Sequence, residues 1–174
     1  MTAPRAQTSA RVQRPSARAS AAVEYRWERL GDIFTEIVPL IRKHWQEVDW
    51  FEGQLPLDPD WKQALDLDRA GVLHLLTVRV DGLLIGYIYS YLLSSVFFSL
   101  PWATVQGFWI DPIRRSGWTG VKLFRENERG LRARGARAIS IEVLLKIAPE
   151  RGTVGRILTR LGYTPVGQMY AKVL

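Results

Sequence analysis

The longest uncharged stretch of the sequence, from Gly82 to Ile110, most strongly limits what this chain can fold into. Its apolar run from Leu83 to Leu100 is long enough to cross a bilayer as a helix. However, the run follows Val80-Asp81-Gly82, a turn sequence typical of hairpins. It is also rich in aromatic and β-branched residues, and Ser94-Ser95 and Pro101 interrupt it. We therefore predict buried strands here and no contact with a membrane.

The hydrophobic pattern of the remaining chain predicts a mixture of helices and strands. Apolar residues recur at helical spacing after Asp32, and Asp58-Pro59 has the form of a helix N-cap followed by proline. Predicted helices cover residues 32–48, 58–68, 120–134 and 153–161, and predicted strands cover 23–29, 72–80, 83–93, 102–110, 138–143 and 164–174. This order predicts one α/β (α+β) domain over residues 23–174, with a mixed, mostly antiparallel sheet flanked by helices.

Cysteine and histidine content excludes several kinds of site. The chain has 174 residues, no cysteine and two histidines, His44 and His74. Disulfides, thiolate-bound metals and a cysteine nucleophile are therefore excluded. Two histidines are too few for a histidine-rich metal centre, and we predict no metal site.

The first 22 residues form a segment of different composition. They are rich in alanine and serine, contain no acid, and carry the basic residues Arg5, Arg11, Arg14 and Arg18. With almost no large apolar residue to bury, this segment is predicted to be a disordered or extended arm, residues 1–22. Two interpretations stay open: a solvated tail, or an arm that binds a protein or nucleic-acid partner through its arginines.

A second basic region begins at the end of the last strand of the uncharged stretch. Acidic groups outnumber basic ones between residues 23 and 111, whereas basic groups predominate from 112 to 160. At this border a predicted strand ends at Ile110, a turn with Arg114, Arg115 and Gly117 follows, and a predicted helix begins at Gly120. Amides at a helix N-terminus and arginine side chains together favour an anion such as phosphate.

The same turn resembles a motif of the GNAT superfamily of N-acetyltransferases, hydrophobic–x–Pro–x–x–Arg–x–x–Gly–x–Gly. Ile110, Pro112, Arg115 and Gly120 match, and Trp118 stands where the family has its middle glycine. Downstream, residues 161–163 (Leu-Gly-Tyr) match the family's Leu-Gly-Phe/Tyr. The likeness is greatest to GNAT-like proteins encoded by bacteriophages, which share His-Trp at 44–45, Leu-Asp-Pro-Asp-Trp at 57–61 and the Tyr-x-Lys-x-Leu ending at 170–174.

The resemblance implies a GNAT fold that takes acetyl-CoA as cosubstrate. The backbone of the strand end would pair with the pantetheine arm of coenzyme A, and the turn would hold its pyrophosphate. On this chain the residues concerned are Phe108, Trp109 and Ile110 for the first role, and Arg115, Ser116, Gly117, Trp118, Thr119, Gly120 and Val121 for the second.

Groups that transfer protons in many family members are replaced in this chain. Leu158 stands where a general-acid tyrosine is common, and Gln106 lies where an acid often serves as base. We therefore predict His44 and Glu47 as the catalytic residues, since i, i+3 spacing places them on one helix face. A packing role for His44 stays open as an alternative.

Two functions follow from these observations. The first is acetyl-CoA-dependent transfer of an acetyl group to an amine, in the cytoplasm. Aromatic residues Trp45, Trp50 and Trp61 would line its substrate pocket, and a cluster of acids would attract a cationic amine: Glu47, Asp49, Glu52, Asp58 and Asp60. The alternative is a catalytically degenerate GNAT-like domain that serves as a structural or interaction module, for instance in a phage particle (virion), anchored by its basic arm.

Overall fold

Nine regular elements make up the described part of the chain. The computed structural model describes residues 22–48, 53–94, 99–115, 118–143 and 151–167, of which 151–153 only as backbone. In chain order the elements are β1 (Val23–Glu28), α1 (Phe34–Val48), α2 (Trp61–Arg69), β2 (Leu73–Val80), β3 (Leu83–Ser94), β4 (Pro101–Ile110), α3 (Thr119–Ala133), β5 (Ala138–Ile141) and α4 (Arg151–Arg160). A single 3₁₀ turn, Pro112–Arg114, joins β4 to α3. The predicted class, a mixed sheet flanked by helices, is confirmed.

The described strands form one sheet in the order β1-β2-β3-β4-β5. The first four are antiparallel neighbours, and β5 pairs with β4 in parallel. The uncharged stretch supplies β3 and β4, as predicted from its hairpin signal. The turn that joins β2 to β3 has positive φ at Asp81 (50°) and Gly82 (82°), the conformation of a tight two-residue hairpin turn. In the described part of the chain, no helix combines the length and apolar character needed to cross a membrane.

The sheet has a hydrophobic core on each face. Helices α1 and α2 cover one face, where Ile37, Leu75 and Tyr87 are buried. Helix α3 covers the other, together with α4, and there Leu76 and Leu123 are buried. Alternation along β2 explains the division, because Leu73 and Leu75 belong to the first core whereas Leu76 and Val78 belong to the second.

Two predicted boundaries differ from the structure. Helix α2 begins at Trp61, and the carboxylate that caps it belongs to Asp60, which accepts a hydrogen bond from the Gln63 amide at 2.8 Å. The sequence predicted Asp58 as the cap, because Pro59 follows it in the position that proline favours at a helix start. The predicted final strand, 164–174, is not a strand over residues 164–167, and residues 168–174 lie outside the described part.

Candidate functional site

Strand β4 continues beyond its parallel partner. Within the described residues, β5 pairs with β4 only over Trp102–Val105. The following residues, Gln106–Ile110, lie along their antiparallel neighbour β3 on one side and have no strand partner on the β5 side among the described residues. We call Gln106–Ile110 the open edge. A bulge marks its start, since Tyr89 lies opposite Gly107 and Ser90 opposite Val105, which makes Gln106 the extra residue.

The open edge lies in a cleft of about 860 Å³ that reaches both faces of the sheet. On the α1 side, the cleft is lined by α1, by residues 55–64 and by β2 and β3. On the α3 side, it is lined by α3, α4 and the end of β5. Lining residues on the α3 side include Gly120, Leu123, Phe124, Val143, Val154 and Ile157. The cleft therefore passes through the sheet where β4 and β5 separate.

His44 lines the α1 side of this cleft. Its Nδ1 lies 2.7 Å from the Tyr87 hydroxyl, and its ring stacks on Trp109 at 6.5 Å between centroids. Burial lowers the pKa of His44 to about 4, although the nearby Glu47 carboxylate acts in the opposite direction. The imidazole is therefore neutral at physiological pH and has one nitrogen engaged by a buried hydroxyl.

Glu47 lies one turn further along α1 and is held by two other side chains. Arg115 donates to both carboxylate oxygens, with 2.6 Å from Nη1 to Oε1 and 2.5 Å from Nη2 to Oε2. The Trp109 indole donates to Oε2 at 2.8 Å. The hydrogen bond from Arg115 is the main reason why the pKa of Glu47 lies below its usual range. Glu47 is thus an ionised hydrogen-bond acceptor, which makes it a weaker base than a free carboxylate.

Arg115 turns its side chain towards α1. Besides its bonds to Glu47, its Nε donates to the Ile110 carbonyl at 2.7 Å. Each of the three guanidinium nitrogens thus donates one hydrogen bond, which leaves two of the five N–H groups for another acceptor, while Glu47 neutralises the charge. The structure therefore brings together three residues with different predicted roles: Glu47 (catalysis), Trp109 (pantetheine) and Arg115 (pyrophosphate).

The start of α3 lies on the other side of the open edge. The first α-helical hydrogen bond runs from Lys122 N to Trp118 O at 2.9 Å, so the amides of Gly120 and Val121 have no acceptor within the helix. A Cβ added to Gly120 would meet nothing closer than Ile110 Cδ1 at 4.0 Å. Trp118 is 69% exposed. The predicted residues Ser116 and Gly117 lie outside the described part.

Sequence reasoning missed three tyrosines of β3, Tyr87, Tyr89 and Tyr91, which all line the α1 side. Their spacing of two residues was the available signal, because alternate residues of a strand share one face. Of the predicted pocket and acidic residues, Trp45, Trp61, Asp58 and Asp60 also line the cleft. Trp50, Asp49, Glu52 and the arm arginines lie outside the described residues.

Comparisons with known proteins identify the fold. No protein-family model matches the chain, and no curated protein sequence matches it. Among solved structures, a ribosomal-protein-alanine N-acetyltransferase from Brucella melitensis biovar Abortus 2308 superimposes with a TM-score of 0.67 at 20% identity, covering 88% of this chain and 98% of that one. An aminoglycoside N-acetyltransferase in complex with CoA gives 0.69 at 15% identity, covering 91% and 98%. An acetyltransferase from Clostridium acetobutylicum with acetyl-CoA gives 0.63 at 11%, covering 87% and 96%.

The chain thus has the fold of the GNAT acetyltransferases, as the motif around Arg115 and Gly120 predicted. Identities of 20% or less establish the fold and leave substrate and site chemistry to be argued from this chain's own residues. The comparisons do not bear on the predicted likeness to bacteriophage-encoded proteins.

Proposed function

We propose that this chain is an acetyl-CoA-dependent N-acetyltransferase that acts on an amine. The main support for this proposal is the open edge, Gln106–Ile110. It faces the cleft that passes through the sheet, and it lies beside the first turn of α3. An extended ligand with amide groups can add to such an edge as a further strand. Pantetheine is a ligand of this kind, and two of the compared acetyltransferases contain CoA or acetyl-CoA.

Coenzyme A fits the α3 side of the cleft. Its pyrophosphate would lie at the N-terminus of α3, where the amides of Gly120 and Val121 and the helix dipole favour an anion. The open space beside Gly120 suits this close approach. Because the Arg115 guanidinium forms an ion pair with Glu47, we assign the pyrophosphate mainly to backbone amides. Bound acetyl-CoA would supply an acetyl group activated as a thioester.

The amine would reach the thioester from the α1 side, where His44 is the best-placed proton acceptor. The Tyr87 hydroxyl can accept the Nδ1 proton of His44, which leaves the lone pair of Nε2 for a proton from the amine. Burial raises the pKa of Tyr87, so this hydroxyl stays protonated. Because the pKa of His44 is about 4, the imidazole is too weak a base to deprotonate an ammonium, so the amine would react in its neutral form. His44 would then take the more acidic proton of the tetrahedral adduct and pass it to the departing coenzyme A thiolate. Trp109 stacks on the ring of His44, and Glu47 holds the Trp109 indole in place by a hydrogen bond.

A non-catalytic interaction domain is the alternative function. Leu158, at the position of the family's tyrosine, is 6% exposed and belongs to the core on the α3 face. Gln106, at the bulge, has no carboxylate with which to accept a proton. These two replacements favour a domain that keeps the fold without the chemistry, and coenzyme binding separates the two functions.

Calorimetric titration with coenzyme A tests the proposal. We expect micromolar binding, roughly −8 kcal/mol. Gly120→Asp should weaken it at least tenfold, because a carboxylate would occupy the pyrophosphate position, while helix stability is kept since an acid suits a first turn. Arg125→Gln, an equal charge change at an exposed position of α3, should bind like the parent chain. Absence of binding at millimolar coenzyme A would refute the proposal that the chain is an acetyl-CoA-dependent enzyme.

A further inference from the structure

The α1 side of the cleft has a composition that limits which amine it can accept. We infer that the acceptor is a monoamine carried on an aromatic body rather than a polyamine or an aminosugar. The inference rests on the proposed function, because only an N-acetyltransferase needs an amine here.

Aromatic rings dominate the described walls of the α1 side. Tyr87, Tyr89 and Tyr91 form a row along β3, with 6.3 Å between the centroids of each neighbouring pair. Opposite them, Trp45 from α1 and Trp61 from α2 line the same space. Phe34 supports Trp61 by an edge-to-face contact at 5.1 Å. Aliphatic side chains fill most of the remaining wall: Leu30, Ile37, Ile41, Val48, Leu73 and Leu75.

Charges on these walls are few and mostly compensated. Glu47 is neutralised by Arg115 through two hydrogen bonds, and His44 is uncharged. The other acids among the described lining residues are Asp58, Asp60 and Glu142, which are all exposed, and Asp60 already caps α2. The described interior therefore offers one neutral imidazole, several hydroxyl groups and no uncompensated carboxylate.

This arrangement selects against ligands with several charges. Each buried ammonium without a partner costs several kcal/mol, so a polyamine or an aminosugar would lose more hydration than these walls can replace. A monoamine loses only one charge, which the exposed aspartates attract and which the amine gives up, with its proton, to water before it reacts. Its aromatic body gains edge-to-face contacts with the tyrosine row, and its ammonium gains from the aromatic rings before deprotonation. An aminoglycoside, the substrate named for one compared enzyme, does not suit this side of the cleft.

Amine binding to the chain saturated with coenzyme A tests this inference by calorimetry. The probes are 2-phenylethylamine, its saturated counterpart 2-cyclohexylethylamine, and spermidine. We expect 2-phenylethylamine to bind roughly five- to tenfold more tightly than the cyclohexyl compound, the worth of aromatic pairing, and more tightly still than spermidine. Equal binding of the two monoamines, or tighter binding of spermidine, would overturn the inference.

Two variants of the tyrosine row locate the effect. Tyr91→Phe keeps the ring and should bind 2-phenylethylamine within about twofold of the parent, whereas Tyr91→Leu should lose about fivefold. Leu93→Ala, an exposed position of the same strand outside the cleft, is the control and should change nothing. An equal loss in Tyr91→Leu and Leu93→Ala would contradict the assignment.

The amine titrations are repeated without coenzyme A. Should the chain fail to bind coenzyme A yet prefer 2-phenylethylamine, the proposed function is refuted and the aromatic preference of the cleft stands. Should it bind coenzyme A and prefer spermidine, the proposed function stands and the inferred substrate class, an aromatic monoamine, is refuted.

Discussion

Burial of His44 between Tyr87 and Trp109 has a consequence for stability as well as for chemistry. The pKa of His44 is about 4 in the folded chain against an ordinary 6.5, so the unfolded chain takes up this proton first as the pH falls. The free energy of unfolding is therefore not reduced by His44 above about pH 6.5. Between pH 6.5 and pH 4 it falls progressively, by about 3 kcal/mol at most.

We expect His44→Gln to reduce this dependence, because glutamine does not titrate and can still bond to Tyr87. The free energy of unfolding, measured in urea at intervals between pH 7 and 4.5, should fall less steeply for the variant than for the parent chain. His74→Gln serves as comparison: burial lowers the pKa of His74 in the same direction, but its ring is not in the cleft. Identical slopes for His44→Gln and the parent would show that His44 is not buried as described.

Individual site residues differed in how far the sequence could reveal them. His44 and Glu47 were predicted because their spacing of three is a local pattern on one helix. The pairing of Glu47 with Arg115 was not predicted, because the two residues are 68 positions apart and no local pattern joins α1 to the turn after β4. The pairing changes the expected role of both residues, because a carboxylate held by a guanidinium is a poor base and a guanidinium held by a carboxylate is a poor phosphate ligand.

At the scale of elements, local patterns were sufficient for most of the fold. Apolar spacing, the Asp81-Gly82 turn and the glycines at helix ends each act over a few residues, and these elements were predicted within a few positions. The bulge at Gln106 and the early end of β5 depend on register between strands, which alternation within one strand does not fix. The open edge, and with it the cleft, could therefore not be predicted from element patterns alone.

The contact between α3 and β1 gives a prediction at this scale. A Cβ added to Gly130 would lie 2.2 Å from Trp27 Cζ2, and Arg134 covers the same ring at 4.0 Å. Gly130→Ala should therefore lower the free energy of unfolding by about 1–3 kcal/mol through overpacking. Gly155→Ala, also within a helix but with open space at its Cβ, should raise it by up to about 1 kcal/mol.

Urea unfolding of both glycine variants measures the difference. Destabilisation by Gly155→Ala as large as that by Gly130→Ala would show that loss of glycine, and not contact with Trp27, is responsible.

At the scale of the whole molecule, the boundary between the arm and the domain can be placed more closely than composition allowed. Ala22 exchanges two hydrogen bonds with Asp81, one from its amide to the carboxylate and one to its carbonyl, both at 3.2 Å. Ala22 therefore belongs with β1 and the hairpin turn, and a deletion intended to remove only the arm ends at residue 21.

We expect deletion of residues 1–21 to change the melting temperature by less than about 2 °C, because these residues offer little apolar surface to bury. Affinity for coenzyme A should be unchanged in the same protein. Any binding of the intact chain to duplex DNA should weaken steeply with salt and disappear on deletion, if the four arginines contact phosphates. Unfolding of the shortened chain, or loss of coenzyme binding, would show that the arm is part of the domain.

The separation of β4 and β5 has a consequence for turnover under the proposed function. Because the cleft opens on both faces of the sheet, donor and acceptor would have separate entrances, and neither would have to leave before the other arrives. We therefore expect acetyl transfer to take place directly within a ternary complex. Initial-rate plots for two varied substrates should consequently converge rather than run parallel, and each product leaves by the side from which its parent substrate entered.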